Sequence, residues 1–248
     1  QSSDGLEIEG LLCLPVGYEE GKKYPLIVEP HGGPHGGAKD LKFEPQWHYF
    51  SGEGFALFAP NFRGSDGYGR AFARSNFSDW GGGDYQDIMR GVDNLIETGI
   101  ADAERLVVGG WSYGGYMTSW VVTQTDRFKA AMNGCGVTNL ISMYGQTDIP
   151  DFMQLYFKDA PPRQLELYRK HSPISHVHHV QTPVLTLHGE EDKRVPLGQG
   201  EEFYACLKAV GVDAKFVKYP REGHGIGEPR HVLDVLKRQL AWYKKYLP

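Results

Sequence analysis

Cysteine is scarce: Cys13, Cys135 and Cys206 are the only three in 248 residues, and no CxxC spacing occurs. An odd, scattered set speaks against a disulfide scaffold or a zinc ribbon and points to a reducing, cytoplasmic setting. Long apolar runs are missing too. The longest, Leu11 to Val16 and Phe55 to Pro60, fall far below the ~20 residues of a membrane-spanning helix, so no membrane role is expected. Excess positive charge is also lacking. Twenty-six basic against 31 acidic side chains give a net charge of −5, the wrong sign for affinity built on neutralising phosphates, which excludes nucleic acid as a partner. The chain opens on Gln1-Ser2-Ser3-Asp4 without a basic segment and apolar run, so a signal peptide is expected to have been removed or never to have existed. No internal repeat or low-complexity linker interrupts it.

What is present fits a globular protein. Hydrophobic residues make up 40% and charged residues 23%, enough for a sizeable core, and the length suits one large domain over residues 1–248. Short apolar runs recur, each followed by glycine-rich punctuation and a helical pattern: Leu26 to Val28, Phe55 to Phe58, Leu106 to Val108, Val184 to Leu187 and Lys215 to Val217. This alternation predicts an α/β fold with a mainly parallel sheet whose strands are buried on both faces. Leu6 to Val16 is expected to add an antiparallel edge hairpin. Asp84 is read as the cap of a helix whose Tyr85, Ile88, Met89, Val92, Leu95 and Ile96 share one face, stopped by Gly99. From His231, Leu233, Leu236, Leu240, Tyr243 and Leu247 predict an amphipathic closing helix. Prolines break the rhythm between Leu140 and Ser175, so an insertion around residues 140–175 is expected to fold as short helices over the ligand end of the sheet.

The most informative segment is Leu106 to Tyr116, where Gly110-x-Ser112-x-Gly114 directly follows a predicted strand and precedes the helical run Tyr116 to Thr123. That is the context of a nucleophile elbow, a strained turn whose flanking glycines let strand and helix approach and whose serine is forced into the open. A serine hydroxyl needs a base, and the base needs an acid to fix its tautomer. Elbow hydrolases order them serine, acid, histidine. Downstream, His188 to Pro196 runs from a strand into an acidic loop carrying Glu190, Glu191 and Asp192; then His224 lies between Gly223 and Gly225 after another strand. Asp192 is the favoured acid, with Glu190 and Glu191 as rivals, while Lys193 and Arg194 read as surface or structural partners. After the first buried strand, His31-Gly32-Gly33-Pro34 offers backbone N–H groups for an oxyanion. Pro34 has none, so Gly33 and Tyr113, the residue after the nucleophile, are the expected donors. No Gly-Lys-Ser/Thr follows to hold a nucleotide phosphate. His171, His176, His178 and His179 lack matching Cys, Asp or Glu partners and read as a polar loop. No metal or cofactor is expected.

Taken together, these motifs, with Asn61 to Ser65, Gly67-Tyr68-Gly69, Asp79 to Gly82, Asp126 to Ala130 and Ser172-Pro173-Ile174, resemble the catalytic α/β-hydrolase domain of the prolyl oligopeptidase family of serine peptidases, nearest its acylaminoacyl-peptidase and dipeptidyl-peptidase branches. The likeness covers almost the whole chain. It implies Ser112, Asp192 and His224 as catalytic residues, Gly33 and Tyr113 as oxyanion donors, and Tyr116 and Phe152 at the border of an apolar acyl-side pocket. Family members carry an N-terminal β-propeller for which this sequence has neither repeats nor length. An excised or designed catalytic domain and a stand-alone hydrolase both fit. Trp111 stands beside the nucleophile where smaller residues are common in the family, and is expected to reshape the back of the elbow. The resemblance implies hydrolysis of amide bonds in short peptides or acylaminoacyl substrates. Carboxylesterase action on small esters is the alternative, and a catalytically silent binding protein a third reading. The surface from His35 to Trp47 is a candidate contact for a homo-oligomer.

Overall fold

The computed structural model describes residues 1–248. Seven strands form one sheet: β1 (Gly10–Cys13), β2 (Tyr24–Val28), β3 (Ala56–Pro60), β4 (Ala101–Trp111), β5 (Ala130–Gly134), β6 (Val184–Gly189) and β7 (Ala214–Tyr219), in the spatial order β1-β3-β2-β4-β5-β6-β7. All neighbours pair in parallel except β1 with β3. The expected edge hairpin is a single strand, β1, running antiparallel to β3 from Gly10 opposite Pro60 to Cys13 opposite Leu57.

Successive side chains on a strand point to opposite faces, and both faces are covered. Leu26, Val28, Leu106 and Val108 meet α3 (Gly83–Glu97), α4 (Tyr113–Gln124) and α8 (Gly198–Ala209) on one side, while Ile27, Leu57 and Val107 meet α1 (Pro45–Gly52) and α9 (Pro229–Tyr246) on the other. The rim strand β7 departs from the two-face expectation, since Lys215 and Lys218 are exposed at the sheet edge. Lysine on an edge strand also discourages pairing with another chain.

Strand β5 has no β-branched residue and escaped the periodicity argument. Its Ala-Ala-Met-Asn-Gly sequence answers a steric demand: a Cβ on Gly134 would lie 2.1 Å from the Trp111 ring, and one on Gly115 would lie 2.7 Å from Gly134 O. Small residues let α4 lie tightly on the sheet.

Two expected helix starts move. α3 begins at Gly83, whose N–H donates to Asp79 Oδ2 at 2.9 Å, so Asp79 takes the capping role and Asp84 turns into the core. α9 begins at Pro229, with Gln239, Leu240, Trp242 and Tyr243 as its buried residues; Leu233 stays 48% exposed and Leu247 lies past the helix end. Between β5 and β6 run the short helices α5 (Leu140–Gln146), α6 (Pro150–Phe157) and α7 (Pro161–Lys170), then a 3₁₀ turn over Pro173–His179 in place of the expected loop. A further short helix, α2 (Arg70–Ala73), follows β3. No helix is long and apolar enough to cross a membrane.

Candidate active site

Because β2, β4, β5, β6 and β7 are all parallel, their C-terminal ends share one edge, where open α/β sheets place their ligands. Ser112 stands between β4 and α4 with φ 61° and ψ −119°, a backbone conformation rarely held by a side-chain-bearing residue. Its N–H donates to Gly134 O at 2.8 Å. The glycines on either side are sterically required: a Cβ on Gly110 would approach Pro30 O to 2.5 Å, and one on Gly114 would reach it at 2.0 Å.

The other two candidates converge on this serine. His224, on the loop after β7, lies with Nε2 2.9 Å from Ser112 Oγ and donates from Nδ1 to Asp192 Oδ2 at 2.8 Å. The second Asp192 oxygen accepts the N–H groups of Arg194 and Val195, each at 2.9 Å. Glu190 and Glu191 are exposed on the outside of the turn. Burial disfavours the Asp192 carboxylate, but hydrogen bonding to His224 and to the Val195 N–H outweighs it and holds the carboxyl below its ordinary range. His188 and Cys135 complete its surroundings, each with one ligand-type atom within 4.8 Å of it. Burial pushes the Cys135 thiol far up, so it stands there as neutral S–H, and His188 Nε2–H donates to Val195 O at 2.8 Å. With the thiol protonated and the Asp192 oxygens taken up by His224, Arg194 and Val195, this buried group is a poor metal cradle.

Two contacts absent from the motif reading hold the histidine loop. Trp111 Nε1–H donates to the His224 carbonyl at 2.6 Å, tying that loop to the nucleophile strand. Glu222 accepts the N–H groups of Gly227 and Glu228, both at 2.9 Å, and His231 Nδ1 at 2.8 Å, closing the chain around His224. The cluster of Glu222, Glu228 and His231 thus spends its lone pairs on the loop itself. Of the clustered histidines, His171 Nδ1–H donates to Trp80 O at 2.6 Å and His176 Nε2–H to Lys170 O at 2.8 Å.

Gly33 (φ 114°) and Tyr113 line the same cavity as Ser112 and His224, and neither backbone N–H donates to another protein group. Two free donors beside a serine hydroxyl suit a developing oxyanion. The Tyr113 side chain runs inward and donates its hydroxyl to Asp84, whose carboxyl burial pushes up to about 7. The cavity encloses about 380 Å³, and Val137, Met143, Ile149, Phe152 and Met153 make it apolar. Phe152 is on this wall as expected. Tyr116 is not: it is fully buried behind the cavity, stacked on Tyr113 with its hydroxyl donating to His171 O at 3.0 Å. It belongs to α4, which is buried from Tyr113 through Thr123, so its ring packs into the core. Arg194 lines the cavity while pairing with Asp148 at 2.7 Å, which fastens the acid loop to the α5–α6 connection.

Known proteins resemble this chain in sequence and in fold. The uncharacterized peptidase YuxL of Bacillus subtilis is 37% identical over 99% of this chain, and the acylamino-acid-releasing enzyme of Arabidopsis thaliana 37% identical over 92%. The chain spans 38% and 31% of their respective lengths. Among solved structures, the acylaminoacyl peptidase of Pyrococcus horikoshii superposes with a TM-score of 0.91 at 34% identity, covering 100% of this chain and 40% of that one. Residues 41–248 match the prolyl oligopeptidase family, and with a parallel sheet that carries its serine on a strained strand-to-helix turn, this chain belongs to that family.

Proposed function

We propose that this chain is the catalytic part of a serine peptidase that hydrolyses amide bonds of short peptides or acylaminoacyl substrates through an acyl-enzyme. Ser112 Oγ attacks the scissile carbonyl as His224 Nε2 takes its proton, and the carbonyl oxygen becomes an oxyanion between the Gly33 and Tyr113 N–H groups. His224 then passes the proton to the leaving amine as the C–N bond breaks. Water, deprotonated by the same imidazole, attacks the ester left on Ser112 and releases the acid. Asp192 keeps the imidazole proton on Nδ1 and stabilises the imidazolium. The short helices of residues 140–175 act as a cap that supplies the apolar acyl pocket through Met143, Phe152 and Met153.

The observation that carries this reading is His224 bridging Ser112 Oγ at 2.9 Å and Asp192 at 2.8 Å. The amide preference draws on the relatives, which include acylamino-acid-releasing enzymes and an acylaminoacyl peptidase. Ser112→Ala is expected to cut turnover of a nitrophenyl ester by on the order of 10⁴ or more and to abolish labelling by a fluorophosphonate, with an unchanged circular-dichroism spectrum. Retained turnover and labelling would reject the assignment. Wild-type cleavage of an aminoacyl nitroanilide is the expected sign of peptidase action, and an intact anilide beside rapid ester hydrolysis would make the protein an esterase.

A further inference from the structure

A second cavity of about 630 Å³ adjoins the one around Ser112, and His35 and Phe152 belong to the walls of both. It lies between α2 and α6. Phe77, Leu155 and Tyr156 make its walls apolar, and Arg70 and Arg74 border it, the Arg74 guanidinium over the Phe77 ring at 5.9 Å from the centroid. These arginines are four residues apart, one turn along the same helical face. Eight of the twelve arginines have a carboxylate oxygen within 4.0 Å, whereas Arg70 and Arg74 have none and make no side-chain hydrogen bond. The single acid in this cavity, Asp66, is engaged elsewhere, accepting the Ala38 N–H at 3.0 Å. Two arginines without carboxylate partners therefore border an apolar cavity that opens off the catalytic one, in a protein whose net charge is −5.

We propose that this cavity is a substrate subsite for a carboxylate, carried by the part of a peptide that extends past the residue filling the catalytic cavity. The inference rests on the peptidase reading and narrows its substrates to peptides with an acidic group at that distance. Two guanidinium forks suit the planar, bidentate acceptor geometry of a carboxylate, and they are more weakly hydrated than ammonium groups, so they give up water readily. The apolar wall receives the peptide stem and excludes water from one side of the pair. The carboxylate has two sources, a peptide's C-terminus or an aspartyl or glutamyl side chain.

Binding to the Ser112→Ala protein tests this without relying on turnover. The probes are acetylated phenylalanyl-alanine peptides with a C-terminal acid or amide, and the amide series with Glu or Gln at each successive position. One acid is expected to bind about tenfold tighter than its neutral partner, the size two partly solvated ion pairs supply. The preference is expected to shrink between ~0.01 M and ~1 M salt, as the screening length falls from ~30 Å to ~3 Å. It is expected to vanish on adding Arg70→Gln and Arg74→Gln, changes that leave wild-type hydrolysis of nitrophenyl acetate untouched. A preference in the acid–amide pair assigns the C-terminus as the source, and one in a Glu–Gln pair assigns a side chain. Equal binding of acid and neutral peptides in every pair, or a preference that survives the double substitution, overturns the proposal. Loss of ester turnover in the wild type instead strikes the peptidase reading, so the two failures are distinct.

Discussion

Replacing Trp111 by phenylalanine keeps a ring above Gly134 but removes the N–H that holds the His224 carbonyl at 2.6 Å. The histidine loop then loses one tether to the nucleophile strand. Trp111→Phe is expected to lower kcat about fivefold to tenfold, the kinetic equivalent of one hydrogen bond worth ~1 kcal/mol, with KM little changed. Steady-state kinetics on a nitrophenyl ester check this, and an unchanged kcat would show that Trp111 does not position the base. Sequence reading singled out Trp111 but expected only a steric effect, because indole donors have no spacing signature and this acceptor lies 113 residues away. The acid shows a similar limit. Glu190, Glu191 and Asp192 are consecutive, so order alone left three candidates. Their separation comes from the turn that sends the Asp192 carboxylate onto two backbone N–H groups and leaves both glutamates exposed.

At the level of elements, the elbow is a packing solution before it is a chemical one. Strand β4, helix α4 and the segment after β2 meet where a Cβ on Gly114 would sit 2.0 Å from Pro30 O, and backbone cannot step aside as a flexible side chain can. Gly114→Ala is expected to destabilise the fold by on the order of 3 kcal/mol, read as a lower thermal-unfolding midpoint. An unshifted midpoint would mean the elbow has slack the structure does not show. Elements were legible where a single period dominated. α3 announced itself through Ile88, Met89, Val92 and Leu95, all buried. β5 did not, since its alanines and glycine were selected by the close approach of α4 and carry no strand propensity. The Asp84 cap failed for a related reason: Asp79 upstream was equally able to cap, and the Tyr113 hydroxyl, 29 residues away, drew Asp84 inward.

For the molecule as a whole, that buried carboxyl sets a pH dependence of stability. Burial raises the Asp84 pKa from 3.8 to about 7 in the folded protein. The folded state therefore keeps its proton where the unfolded chain has lost it, and this contribution is full below the unfolded value and lost as pH rises through the folded one. Against Asp84→Asn, the wild type is expected to lose on the order of 3 kcal/mol of relative stability between about pH 5 and about pH 8, measured by urea unfolding of both proteins. Parallel stability curves would show that Asp84 is ionised in the fold. The sequence alone determined the α/β class, the glycine-flanked serine, and the order of serine, acid and histidine, because strand periodicity and tight turns are written in neighbouring residues. Tertiary structure alone decided which acid meets His224, that Tyr116 faces the core while Phe152 faces the cavity, and that Arg70 and Arg74 stand unpaired beside it. Those outcomes depend on which distant segments the sheet order brings together, and no local period encodes that.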